Sequence, residues 1–407
     1  MIYLHSDLYW MYTKPQFSFE NIQVAFAPKS DEDLKKMFLI FSVLNNNLLS
    51  KWGVSLATWS LKLRLPVKWL IKQTIFEQFC GGESIEDSNI TIKSLNQYKI
   101  GAILDYSVEG KDDEESFDRT RDEILRTIHH AGSTDGIPFS VFKVTGLGDA
   151  RIMTKIQAKQ TLSAKEQSSF ERTKARVDRL FEAAYEAKVK ILVDGEESWF
   201  QDVIDDLAEE GMARYNKETA IVYNTYQMYR QDMLRKLKDA HHNAVTDAYF
   251  LGAKLVRGAY MEKEAERAEK LGYANPIHPN KEATDDAFNE ALKFCINNKQ
   301  RVFLVSGTHN ELSNIILPEL MSLHGMKPKD DRVYFAQLYG MSDHISYNLA
   351  QAGYNVAKYV PYGPVEAVMP YLARRAAENT SVAGQSSREL TLIKQEFARR
   401  KAGKNNN

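Results

Sequence analysis

Eight short β-rich apolar runs, each separated from the next by room for a helix, constrain this chain more than any other feature. They are Gly101–Leu104, Phe139–Phe142, Val189–Val193, Ala220–Tyr223, Ala253–Val256, Arg301–Val305, Arg332–Phe335 and Asn355–Val360. Intervals of roughly 20–45 residues hold a helix and its loops each time. Eight β/α units in a row predict a closed parallel barrel rather than an open sheet, an α/β fold of the TIM-like (β/α)8 type over residues 98–383. The intervening segments carry helical spacing. Glu114–His130 places Phe117, Ile124, Leu125 and Ile128 among charges, and Ser163–Lys188 places Phe170, Val177, Leu180, Phe181 and Ala184. No short fixed period recurs, which excludes a solenoid.

A barrel takes about 250 residues, and the chain has 407. The remainder predicts an N-terminal helical region over 1–97 and a short, charged, amphipathic helical tail over 384–407. Ser30-Asp-Glu-Asp33 opens a helix with an acidic first turn, followed by Leu34, Met37, Phe38, Ile40, Phe41 and Leu44 at helical spacing. The apolar stretch Trp52–Phe79 is broken at Pro66 and punctuated by Lys62, Arg64, Lys68 and Lys72. It reads as a helical pair packed on the larger domain, or as a basic amphipathic segment that touches a membrane surface. The first 16 residues contain no Arg and one Ser and carry Asp7, unlike a mitochondrial transit peptide, and they lack the apolar core of a signal peptide. A formal charge of −1 gives no field toward nucleic acid. Two distant cysteines, Cys80 and Cys295, exclude a disulfide scaffold and a cysteine-based zinc site and fit a reducing compartment. No apolar run reaches the ~20 residues of a membrane span.

Ligands of such barrels meet the C-terminal ends of the strands. Those ends carry Asp105 and Glu109; Lys143 and Thr145; Asp194–Glu197; Asn224–Tyr226; Arg257–Tyr260; Thr308–Asn310; Gln337–Met341; and Tyr359 with Pro361–Pro364. A polar ring of mixed sign predicts a small charged substrate and a polar cofactor. After the last strand, Tyr371, Arg374, Arg375 and Glu378 fall at i, i+3, i+4 and i+7, on one helix face. Guanidinium forks suit a carboxylate, and Glu109 and Glu378 are available to answer them at rest. The alternative is a solvated Arg/Glu face.

Lys254–Tyr260 (KLVRGAY), Gln337–Met341 (QLYGM), Lys358–Gly363 (KYVPYG), Tyr371–Asn379 (YLARRAAEN), Asp194-Gly-Glu and Thr308-His-Asn together resemble the proline dehydrogenase family, over roughly residues 70–382. The resemblance implies FAD held on a barrel without a Rossmann glycine fingerprint, which agrees with the absence of GxGxxG. It implies oxidation of L-proline to Δ1-pyrroline-5-carboxylate by hydride transfer from proline C5 to flavin N5, the first step of proline catabolism to glutamate, with electrons passed to a quinone near a membrane. By position, Lys143, Arg374 and Arg375 would bind the proline carboxylate. Tyr359 and Tyr371 would wall the ring, with Leu338 over it and Glu378 on the same helix face. Asp194 and Lys254 would be catalytic: Asp194 fixing Lys143 and the flavin side of the pocket, Lys254 as a cation beside the flavin. Val193, Asn224, Arg257, Gly258, Ala259, Tyr260, Thr308 and His309 would contact FAD; small residues at 258 and 259 let backbone approach a ligand.

Many bacterial members carry Arg then Lys in the strand-5 motif. This chain has Lys254 then Arg257, closer to the mitochondrial-type branch, and its length leaves no room for a fused aldehyde dehydrogenase. The expected location is cytoplasmic or peripheral on the inner membrane in a bacterium, and on the matrix side in a mitochondrion. Two other readings are hydroxyproline oxidation, which Tyr359 disfavours by occupying the space of a ring hydroxyl, and a non-catalytic barrel, which the intact charged set disfavours. His129-His130 and His241-His242 are not expected to bind metal, because neighbouring residues on a helix diverge by about 100°.

Overall fold

The structure is a computed structural model that describes residues 17–46, 67–108, 112–381 and 385–405, and the side chains of these except 377–386, 404 and 405. Eight parallel strands close into a barrel in sequential order: β1 (Ile100–Tyr106), β2 (Phe139–Phe142), β3 (Lys190–Val193), β4 (Val222–Gln227), β5 (Leu251–Val256), β6 (Val302–Gly307), β7 (Val333–Leu338) and β8 (Val356–Tyr362). Each expected strand run is present. β1, β6, β7 and β8 extend two or three residues further toward the C-terminal mouth than the apolar pattern alone marks, β2, β3 and β5 end where expected, and β4 runs four residues further and starts at Val222, two residues after its expected start.

Strand alternation sorts the side chains. Ile103, Phe139, Val141, Leu192, Tyr223, Phe303, Val305, Ala336, Ala357 and Tyr359 fill the barrel interior. The opposite parity, including Leu104, Ile191, Val193, Leu255 and Val360, packs outward against the helices. Helices α1 (Asp31–Leu44) and α2 (Ile85–Gln97) precede the barrel. The crossovers contain α3 (Glu114–Ser133), α4 (Ala164–Ala187), α5 (Ser198–Tyr215), α6 (Met233–Thr246), α7 (Met261–Leu271), α8 (Lys281–Asn297), α9 (Glu311–Leu323) and α10 (Asp343–Gln351). Helices α11 (Met369–Ser381) and α12 (Gln385–Asn405) follow β8. Local signals fix the starts of α1 and α4. Asp33 N–H donates to Ser30 Oγ (3.1 Å) and Ser30 N–H donates back to Asp33 Oδ2 (2.9 Å), and Ser163 and Glu166 make the same capping box.

The helices on either side of the barrel in the chain share one core. Leu34, Met37 and Phe41 of α1 pack with Phe76 and Phe79, with Tyr371 and Leu372 of α11, and with Leu390, Leu392 and Ile393 of α12. The expected tail is thus a helix seated on the N-terminal helices. Arg400 ties it there through Asp31 (2.8 Å) and its own Glu396 (2.7 Å). Of the stretch Trp52–Phe79 that reads as a helical pair or a membrane-touching segment, residues 52–66 lie outside the described residues. Beyond them a continuous helical segment runs from Lys68 to Phe79. Cys80 and Cys295 are buried free thiols.

Candidate active site

β2 and β3 pair with Phe142 opposite Val193. One step beyond the strands, that register sets Lys143 beside Asp194, both turned toward the barrel axis, with Lys143 Nζ 3.2 Å from Asp194 Oδ2. Lys254 reaches across from β5 and donates to Asp194 Oδ1 (2.5 Å) and to the Tyr359 hydroxyl (2.8 Å), which itself lies 3.5 Å from Asp194 Oδ1. The Lys254 ammonium stands 4.9 Å from the Tyr359 ring centroid. Asp105 of β1 completes the ring and accepts from Ser107 Oγ (2.8 Å). Two carboxylates and two ammoniums in a mostly buried mouth compensate one another, as buried charges must.

The electrostatics keep Asp194 and Lys143 ionised. Burial works against the charge of Asp194, but Lys254 and Lys143 outweigh it and hold the carboxyl below the usual range. Burial likewise opposes the Lys143 ammonium, and Asp105 and Asp194 more than restore it, so its pKa is raised. Burial, with Asp194 and Asp105 nearby, pushes the Tyr359 phenol far up, so it stays a neutral donor.

Helix α11 forms the roof. Tyr371 and Arg375, one turn apart, face inward at 5% and 9% exposure, with the Arg375 guanidinium carbon 5.1 Å from the Tyr371 ring centroid. Arg374 is exposed. Consecutive helical residues diverge by about 100°, so the expected pair of guanidiniums is one buried and one at the surface. Leu338, at the end of β7, packs on both the barrel-interior cluster with Tyr359 and the cluster containing Tyr371, joining roof to mouth. Glu378 lies on α11, but its side chain is outside the described residues, as is all of Glu109.

A second group lies on the rim between β5 and β6. Arg257 donates from Nε to Asp285 (2.6 Å), from one terminal nitrogen to Thr308 Oγ1, and from the other to Ser313 Oγ (3.0 Å), over the Phe288 ring. These bonds use three of its five N–H groups. His309 accepts from the Leu338 N–H at Nε2 (3.4 Å) and meets Ser342 Oγ at Nδ1 (2.9 Å), so Nδ1 carries the proton. Burial, then Lys358 and Arg375, depress it to about 3, which leaves a neutral imidazole. Gly258 has φ +137°, and a Cβ there would lie 2.4 Å from the Tyr229 ring. A side chain is therefore excluded at 258, and Ala259 beside it is exposed. A cationic fork with N–H groups to spare, a hydroxyl, a neutral imidazole and bare backbone on one rim fit a phosphate-bearing cofactor. Tyr260 stands apart from that group, within electrostatic reach of Lys143, Glu196 and Asp194.

Two expected cofactor residues are not brought to the mouth. Val193 packs outward in the core under the helices. Asn224 also points outward, donating to Asp205 of α5 (2.9 Å). The inward residues of β4 are Thr225, which donates to Val193 O (2.6 Å), and Gln227, which donates to Glu196 O (2.6 Å). Gln227 was not singled out from the sequence, and Glu196 entered only within the Asp194–Glu197 run and the Asp194-Gly-Glu match, with no role of its own. Continuing the alternation of β4 past Tyr223 by two steps would have found Gln227. Among the described residues, no group of three or more His, Cys, Asp or Glu is placed to hold a metal ion.

The sequence profile of the proline dehydrogenase family matches residues 89–388. The chain is 33% identical to mitochondrial proline dehydrogenase 1 of Dictyostelium discoideum over 422 aligned positions, covering 92% of this chain and 74% of the relative. It is 34% identical to the carbapenem antibiotics biosynthesis protein CarD of Pectobacterium carotovorum subsp. carotovorum, covering 80% and 84%. In structure it matches proline utilization A (PutA) of Bdellovibrio bacteriovorus with a TM-score of 0.70 at 19% identity, over 88% of this chain. The chain spans 38% of that larger protein.

Proposed function

The chain belongs to the proline dehydrogenase family and is an oxidoreductase acting on proline, and from that premise we propose that it works with FAD bound on the β5–β6 rim and proline held under α11. The observation that carries this reading is the convergence of Lys143, Asp194, Lys254 and Tyr359 in one hydrogen-bonded set, with Leu338 packed on both the cluster of Tyr359 and that of Tyr371. Arg257, Thr308 and His309, with the bare backbone at Gly258 and Ala259, are the groups that would hold FAD; bound there, FAD supplies the acceptor for the hydride that leaves proline C5.

The protein's own residues supply binding and orientation. Arg375 and Lys143 bind the substrate carboxylate, and Arg374 adds charge from the edge of the helix. Tyr359, Tyr371 and Leu338 confine the ring between floor and roof, which fixes the face presented for oxidation. Asp194 holds both ammoniums, so neither can rotate out when the carboxylate enters. Lys254, a point charge rather than a fork, is committed to Asp194 and Tyr359. Closure of α11 over the mouth excludes water.

A quinone at a membrane is the proposed electron acceptor. No described helix is long and apolar enough to cross a membrane, so the proposed contact is peripheral. Trp69 and Leu70 support it, exposed at 66% and 56% beside Lys68 and Lys72, as does Leu39 of α1 at 63%. On this reading the protein sits on the inner membrane of a bacterium or the matrix face of a mitochondrion. Acid precipitation of the purified protein is expected to release FAD into the supernatant, and the native protein is expected to reduce a soluble quinone only when proline is present. Protein that carries no flavin after reconstitution, or that reduces quinone equally without proline, would contradict the reading.

A further inference from the structure

The β2–β3 register continues past Lys143 and Asp194. The offset of 51 that pairs Phe142 with Val193 also pairs Thr145 with Glu196. Thr145 N–H donates to Glu196 Oε1 (3.1 Å) and Thr145 Oγ1 donates to Glu196 Oε2 (2.5 Å). The backbone of Glu196 is pinned as well: its N–H donates to Gln201 Oε1 (2.6 Å) and its carbonyl accepts from Gln227 Nε2 (2.6 Å). Glu196 is 3% exposed. It therefore makes a second rung directly outside the Lys143–Asp194 rung, and every polar group of the residue is satisfied.

We infer that Glu196, acting through Thr145, is a positioning residue that fixes the Lys143–Asp194 pair and sets the field felt by the Lys143 ammonium where it meets the substrate carboxylate. This rests on the reading of the mouth as a proline site. Three observations support it. Thr145 lies two residues from Lys143 and Glu196 two from Asp194, so strain on one rung is transmitted to the other. A glutamine would fill the same positions without the cost of burying an ionisable group. And burial, opposed by the bonds from Thr145 and by Lys143, lifts the Glu196 carboxyl to about 7, so its charge changes in the working range. The charged and titratable groups facing it are Lys143, Glu197 and Tyr260, and Lys143 in turn meets Asp194 and Asp105. Asp194 is held ionised, and Tyr260 is raised away from neutrality.

The test uses the FAD-loaded enzyme and tetrahydrofuran-2-carboxylate, a five-membered ring carboxylate whose ring oxygen replaces the amine, so that the probe has one charge throughout pH 6–8. As pH rises through 7, Glu196 becomes an anion beside Lys143 and competes with the probe. The wild-type Kd is expected to rise about three- to tenfold between pH 6 and 8, the scale of one charge at partly buried range. Glu196→Gln should flatten that profile. Thr145→Val, which removes the hydroxyl and keeps the shape, should weaken the probe about tenfold at each pH and raise KM more than it lowers kcat. Thr145→Ser should restore wild-type values, which separates the missing bond from a folding defect. A Glu196→Gln enzyme that keeps the wild-type pH profile, or a Thr145→Val enzyme that keeps the wild-type Kd, would overturn the inference. Bleaching of the wild-type flavin by proline is read separately: without it the proline reading falls and takes this one with it, whereas bleaching with unaltered variants removes the second rung alone.

Discussion

Arg375 is inward on α11 and Arg374 outward, and the two should therefore differ when truncated. Arg375→Met is expected to lower kcat/KM for proline about ten- to a hundredfold, the range for losing a charge-assisted bond, with flavin content unchanged by absorbance. Arg374→Met should cost less. Equal losses would place both guanidiniums on the carboxylate. Tyr359 closes the pocket floor at 9% exposure. Tyr359→Ser should raise the ratio of kcat/KM for hydroxyproline over proline by roughly 1–3 kcal/mol, the scale of a small pocket change; an unaltered ratio would move Tyr359 off the ring. Glu196 gives a stability prediction whose sign is opposite to that of an ordinary salt-bridged carboxylate. Its folded pKa, about 7, lies above the ordinary 4.5, so the folded state binds the proton more tightly and stability falls as pH rises between those values. Glu196→Gln removes that loss and should gain on the order of 3 kcal/mol over wild type at pH 8 and nothing at pH 4, read from urea midpoints at the two pH values. No pH-dependent gain would mean that Glu196 ionises freely in the fold.

At the scale of elements, apolar periodicity made the strands and the longer helices legible, and polar strand residues limited it. β4 was expected as Ala220–Tyr223 and is Val222–Gln227. Its second half, Asn-Thr-Tyr-Gln, resembles a loop in composition. It is a strand because Asn224, Thr225 and Gln227 find partners on α5, β3 and the β3–α5 turn, and a single sequence does not announce such partners. Lys254 was legible as a residue of interest, but not as a partner of Asp194, because β3 and β5 are separated by β4 and only the curvature of the sheet brings their inward side chains together. The C-terminal helix was legible as amphipathic, while its seat on α1 was not. Leu392 and Ile393 are fully buried there, so Ile393→Ala is expected to cost about 2–5 kcal/mol, measured as a lower urea midpoint with the flavin site intact. A change within a few tenths of a kcal/mol would detach α12 from the shared core.

For the whole molecule, chain topology places the chemistry. Sequential closure brings inward residues from six of the eight strands to a common mouth. β1 contributes Asp105, β2 and β3 add Lys143 and Asp194, β5 adds Lys254, and β8 adds Tyr359, while β7 supplies Leu338 and the helix after β8 folds back as a roof. Helices α1 and α12 pack against α11, so the fold couples its flanking helices to the C-terminal face of the barrel. In the proposed function, this mouth oxidises proline with a flavin as the immediate acceptor. That reading is tested most directly by anaerobic titration of the yellow protein with L-proline, followed in the visible absorbance of the flavin, for the wild type beside Arg375→Met. Proline is expected to bleach the wild type fully, and the variant to need about ten- to a hundredfold more proline for the same bleaching rate. A wild-type flavin that stays oxidised in excess proline would contradict that reading.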